Sequence, residues 1–216
     1  MKCCLLTAFV ACAATIFGAQ AQASPLDELV PKKLGASACF TRVYDDAHLR
    51  ANPKQKTTFI AAWLKYEKLQ GAAGMGLSFA LAMRRRGETE ALFSQGGCEW
   101  GARINRDVSD KRLILNYKKD EGGSCMQSAR PDVFDSLSAE EGGEVIIDRG
   151  KDKDTLMVYL DEALAMVKRL DRDTPISIDF GKDDRVFMLR RASAKDCEFL
   201  QEAVTTREPG VPDRRR

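Results

Sequence analysis

The chain has 216 residues, with 34 Lys and Arg against 32 Asp and Glu, seven Cys and a single His. Near-neutrality argues against a nucleic-acid partner, which would want a basic field. One histidine excludes any zinc site built on two or three imidazoles.

The first residues read "MKCCLLTAFVACAATIFGAQAQASP": one Lys, an apolar run from Cys3 to Ala19, then small residues suited to cleavage after Ala21 or Ala23. The run is short for a membrane span and ends in a polar segment, so residues 1–23 are expected to be a signal peptide. A lipidated form would need Cys12 as the acylated residue after a very short leader, and the plain signal is preferred. The expected location is periplasmic or secreted, and no other apolar run is long enough to span a membrane. The remainder has 216 − 23 = 193 residues and 34 − 1 = 33 basic groups against 32 acids. It keeps Cys39, Cys98, Cys125 and Cys197, which in an oxidising compartment predict two disulfides with three pairings open.

Residues 24–202 are expected to form one exported domain. "SPLDELV" predicts a short helix before Pro31, and "YDDAHLRANP" another short helix or turn stopped at Asn52-Pro53. Residues 57–70 carry β-branched and aromatic residues but also a helical face, and 155–170 repeat that ambiguity. Leu77, Phe79, Leu81 and Met83 alternate with small residues before a polar turn and Leu92-Phe93, which predicts a hairpin. "RLILNYKKDEGG" and "GGEVIIDRGKDKDT" each predict a strand and a charged turn. "PISIDFGKDDRVFMLRR" predicts a second hairpin. Residues 203–216 have almost nothing to bury and are expected to be a disordered tail.

The order of these pieces occurs twice, in about 39–100 and 125–199, each ending in Cys-Glu-aromatic ("CEW", "CEF"). A duplication accounts for the echo and would pair Cys39 with Cys98 and Cys125 with Cys197, one bridge per half; cross-pairing between halves is the alternative. The fold class expected is thus β-rich α+β, with antiparallel hairpins in two duplicated halves, one disulfide in each, and few short helices.

Two stretches carry a resemblance. "CFTRVYDDAHLRANPKQ" presents Cys39, Tyr44, Asp45, His48, Leu49, Pro53 and Gln55, and "GKDDRVFMLRRASAKDC" presents Asp183, Asp184, Phe187, Leu189 and Cys197. This resembles a group of exported bacterial proteins with Cys, Tyr-Asp-x-x-His-Leu and His-Pro-x-Gln near the start and Asp-Asp-x-x-Phe-x-Leu before a last Cys. Asn52 stands where that pattern has His, and "KKDEGGSC" departs from its middle. The resemblance implies a β-rich exported domain and brings no activity with it.

The residues that chemistry would draw on are few. His48 with Asp45 or Asp46 is the candidate for a hydrolytic site, but no nucleophile elbow accompanies it, and a capped helix explains the same residues. Arg84, Arg85 and Arg86 are candidates for an anionic envelope polymer, against a plain solvated turn. The acids of "DRGKDKD" and "GKDD" lack the spacing that sets oxygens around calcium. "GAAGMG" lacks phosphate-loop order and is read as a flexible connection. No cofactor or metal is expected. The expected role is binding or structural, with another envelope protein as partner and no catalytic centre; an envelope hydrolase using His48 and a polymer-binding module are the alternatives.

Overall fold

The computed structural model of the chain describes residues 25–68, 75–100, 123–128, 142–160, 163–169 and 174–205. The expected leader, the "RLILNYKKD" strand, most of the glycine-rich connection and the tail beyond Thr205 lie outside the described residues.

Among the described residues ten strands carry the fold: β1 (Ser37–Val43), β2 (Thr57–Lys68), β3 (Met75–Arg85), β4 (Leu92–Trp100), β5 (Gly123–Ser128), β6 (Glu144–Arg149), β7 (Thr155–Leu160), β8 (Ala163–Lys168), β9 (Ile176–Asp179) and β10 (Val186–Ala192). Helices are short: α1 (Asp46–Ala51), α2 (Glu198–Thr205) and 3₁₀ turns at Pro25–Glu28, Lys182–Asp184 and Ala194–Cys197. Strands β1 to β7 follow one another as antiparallel neighbours, β10 pairs with both β7 and β1, and β3 pairs with β4. The result is a closed eight-stranded up-and-down barrel with the β8–β9 hairpin inserted between β7 and β10. Closure leaves no barrel edge to be capped.

Alternation along each strand decides what lines the barrel. On β3, Leu77, Phe79, Leu81 and Met83 are at most 1% exposed and join the interior with Phe40, Ile60, Leu64, Tyr66, Val145, Ile147, Leu156, Val158, Phe187 and Leu189. The small residues between them, Ala80 and Ala82, face outward with Ala61, Trp63 and Phe93. Small side chains there let α2 lie close to the wall, where Phe199 sits between Phe59 and Phe93 at 6.2 and 6.0 Å and Leu200 is 1% exposed. The helical face read in residues 57–70 and 155–170 therefore gives way to strands: β2 is buried on both faces, and residues 155–168 form two strands, β7 and β8. Tertiary burial overrides the ambiguous period.

The barrel ends close differently. At the end where β1 starts, Leu26, Leu29 and Val30 fill the interior from the first 3₁₀ turn and its continuation. Arg191 holds this plug by donating to Leu29 O (2.8 Å) while its guanidinium lies over Phe40 (4.8 Å), and Arg149 pairs with Glu28 (2.6 Å). At the opposite end, where α1 sits, β8 pairs with β4 at Leu92 and Phe93, short of the Gln95–Trp100 stretch that pairs with β5. Leu164, Met166, Ile178 and Phe180 extend the interior cluster there.

Three expectations are corrected. Residues 176–192 form no hairpin: β9 pairs with β8, β10 pairs with β1 and β7, and "GKDD" is a 3₁₀ turn between them. The disulfides are Cys39–Cys197 and Cys98–Cys125, with Cα–Cα distances of 5.8 and 4.0 Å. Cys98 and Cys125 face each other directly across β4–β5, and Cys39–Cys197 bridges the β1–β10 seam that closes the barrel. Equivalent halves are not seen, because both bonds and the barrel itself join the stretches 39–100 and 125–199. "CEW" lies on a strand and "CEF" where a 3₁₀ turn passes into α2, so the echo has no common structural role.

Candidate functional site

The two stretches that carry the resemblance meet at the α1 end of the barrel. Asp45 is the N-cap of α1: its carboxylate accepts the His48 N–H at 2.7 Å, which satisfies an orphan donor of the first turn. Asp46 is exposed in that first turn. The helix ends at Asn52, whose side-chain amide and backbone N–H both donate to His48 O at 2.9 Å.

The His48 ring packs on Tyr44, with centroids 4.7 Å apart, and its Nε2 meets Gln55 Oε1 at 3.0 Å. Gln55 is 5% exposed and its amide nitrogen donates to Thr57 O (2.8 Å), so its oxygen is the atom that faces the imidazole. Nε2 must then carry a proton and donate, which leaves only Nδ1 able to act as a base. Among the described residues no Ser or Cys side chain bonds to the ring.

The sequence places Asp184 in a charged turn, yet it is 2% exposed. Its two carboxylate oxygens accept the backbone N–H of Lys56 (2.7 Å) and of Thr57 (2.9 Å), 128 and 127 residues away in sequence. It thus clasps the start of β2 to the approach of β10. Tyr44 lies beside this clasp and 6.5 Å from Phe187, centroid to centroid. Burial lifts its phenol above the ordinary range, nearby Arg42 offsets part of this, and Asp184 adds to it.

The three arginines of the β3–β4 turn do separate things. Arg86 donates to Gln55 O (2.7 Å), Leu49 O (2.5 Å) and Asn52 O (3.0 Å), locking the segment after α1 to the hairpin. The guanidinium of Arg84 lies over Phe59 at 5.8 Å, and Arg85 is half-buried at the end of β3. The adjacent Gly87 has φ +77, the left-handed turn position that favours glycine. At the other end, the acids of "DRGKDKD" bind arginines: Asp152 pairs with Arg190 (3.3 Å) and Asp154 with Arg191 (2.9 Å). The Thr155 hydroxyl, chiefly, holds the Asp152 carboxyl below its usual range.

Sequence reasoning singled out His48, Asp45, Asp46 and the arginine run but missed Arg42, Gln55 as the partner of the imidazole, and Asp184 as a buried clasp. The visible signal for Asp184 was an acid two residues before an alternating apolar run, which is also what a solvated hairpin turn looks like. Among the described residues no helix is long and apolar enough to cross a membrane, and no group of three His, Cys, Asp or Glu is placed to hold a metal ion. Set against known proteins, the chain matches no family model, no curated protein and no solved structure.

Proposed function

We propose that this chain is an exported, disulfide-braced barrel that works by binding another envelope protein and has no catalytic centre. The observation that carries this reading is the outer wall formed by β1, β10 and β7. Val43, Val186 and Met188 are 66, 42 and 41% exposed there, and the register sets Met188 against the half-buried Met157. The opposite wall is covered by α2, whereas this one presents apolar side chains to its surroundings, the usual mark of an interaction surface. Two further features support it. The interior is filled by large side chains, so the barrel is a frame. His48 is tied between Gln55 and Tyr44, and Arg86 is spent on carbonyls, so neither is offered as a reactive or polymer-binding group.

Export is supported by the two disulfides, which persist in oxidising compartments. Residence outside the membrane is supported by the polarity of the barrel, apolar inside with Lys65, Glu67, Arg84 and Arg190 on outward positions, the reverse of a lipid-spanning barrel.

The test is a pull-down from periplasmic extract with the oxidised mature protein and its Val43→Asp/Met188→Asp variant. Both substituted side chains are exposed, so the variant is expected to keep its unfolding midpoint while losing a specifically captured protein. Turnover in a broad hydrolase screen that His48→Ala abolishes would overturn the proposal.

A further inference from the structure

Arg42 stands apart from the other arginines that hold this fold together. Arg86, Arg149, Arg190 and Arg191 each spend their guanidinium on carbonyls or carboxylates. Arg42 is half-buried on β1, directly across from Ile60, a residue of the barrel interior with 0% exposure. Its position is therefore on the inward face of the strand, one residue short of the rim. Its guanidinium carbon lies 5.3 Å from the centre of the Tyr44 ring. Among the described residues it has no carboxylate or carbonyl partner. Its nitrogens are not among the buried polar atoms left without a partner, so its N–H donors face solvent and are free to be given to a ligand.

The groups around Tyr44 define what that ligand is. The phenol hydroxyl and the Nδ1 of His48 make no hydrogen bond among the described residues. Asp184 stands close enough to raise the Tyr44 phenol, and its charge is already met by two backbone N–H groups. A further anion here meets one cation, and the buried Asp184 charge opposes a second negative charge on it. A planar monoanion that takes two parallel N–H bonds fits such a guanidinium best.

We propose that Arg42, on the face of Tyr44 at the α1 end of the barrel, is a receptor for a carboxylate. Two sources share this chemistry, a free small carboxylate and the acidic side chain of a partner protein. The site goes beyond the apolar outer wall argued above, since it sits on the inward side of β1 and does not depend on that wall.

The experiment follows the Arg42 side-chain Nε–H and the His48 ring signals by NMR on the oxidised mature protein. Sodium acetate, a short Glu-containing peptide with blocked termini, and sodium chloride at matched ionic strength are titrated in separate arms. Saturable shifts with acetate assign a free carboxylate, and saturable shifts with the peptide alone assign an acidic side chain. Arg42→Gln is expected to weaken either by about tenfold or more, and Arg42→Lys to retain part of it as a point charge. A charge-neutral Val43→Ser/Met188→Ser variant serves as the control for the outer wall and should bind as the unmodified protein does. Shifts no larger than those with chloride, or binding that Arg42→Gln leaves intact while the variant unfolds at the same midpoint, would sink the proposal.

Discussion

Asp184→Ala removes a side chain that ties the start of β2 to the approach of β10. The carboxylate accepts two backbone N–H groups at 2.7 and 2.9 Å from within a site where Asp184 is 2% and Thr57 1% exposed. A hydrogen bond to a charged group is worth about 1.5–3 kcal/mol, and a donor left unpaired loses its full desolvation. The two bonds share one residue and do not add fully, so the expected loss is about 3–5 kcal/mol. For a chain of this size that lowers the melting midpoint by about 6–20 °C. Asp184→Asn keeps one acceptor oxygen and presents an NH₂ to the second donor, so it should fall between the parent and Asp184→Ala. The assay is urea unfolding of the oxidised protein followed by the fluorescence of its tryptophans, one of which, Trp63, is 6% exposed. Loss of less than about 0.5 kcal/mol on Asp184→Ala, at unchanged m, would refute the clasp as a source of stability.

Other outcomes follow from the same structure. The two disulfides enclose 158 and 27 residues. On the chain-entropy model, losing Cys39–Cys197 through paired Ala substitutions costs about 5 kcal/mol and losing Cys98–Cys125 about 3.5; equal costs in urea unfolding would contradict a topology in which one bond spans the closure seam. Gly143 has φ +86, and a Cβ there would stand 2.7 Å from Ala163 O, whereas at Gly87 (φ +77) nothing lies within 4 Å. Gly87→Ala should therefore cost about 1–2 kcal/mol from conformation alone, and Gly143→Ala clearly more, as thermal unfolding will show. Burial raises the phenol pKa of Tyr44 and of Tyr159, where the neighbouring Asp148 adds to the effect. A folded-state pKa above the unfolded one means stability fully present below about pH 10 and lost as pH rises through the folded value. Stability measured against pH should fall on the alkaline side, and ultraviolet titration should show late-ionising phenols, one fewer in Tyr44→Phe.

Local structure was readable wherever short-range chemistry decides it. The Asp45 cap and the stop at Asn52-Pro53 delimit α1, the alternation from Leu77 to Met83 and the polar turn after it give β3–β4, and the "IIDRGKDKDT" pattern gives β6 and the charged turn that follows it. Those signals act over a few residues, through capping, period two and turn conformation. Residues 57–68 and 155–168 could not be decided that way, because residues buried on both faces lose the polar alternation that marks a strand. Of the candidate site, His48 and Asp45 were visible as a pattern; the roles of Gln55, Asp184 and Arg42 were not, since each depends on a neighbour brought close only by the closed barrel.

By itself the sequence determined a β-rich chain with a single histidine and four cysteines beyond residue 23 able to form two disulfides. Only the tertiary structure decided that the strands close into one barrel, that Cys39 meets Cys197 and Cys98 meets Cys125, and that Asp183-Asp184 opens a clasp and not a hairpin. The physical reason is range. Four cysteines allow three pairings of equal local merit, and the choice among them is made by which strand edges find partners when the sheet curls shut, a condition that links residues more than a hundred positions apart.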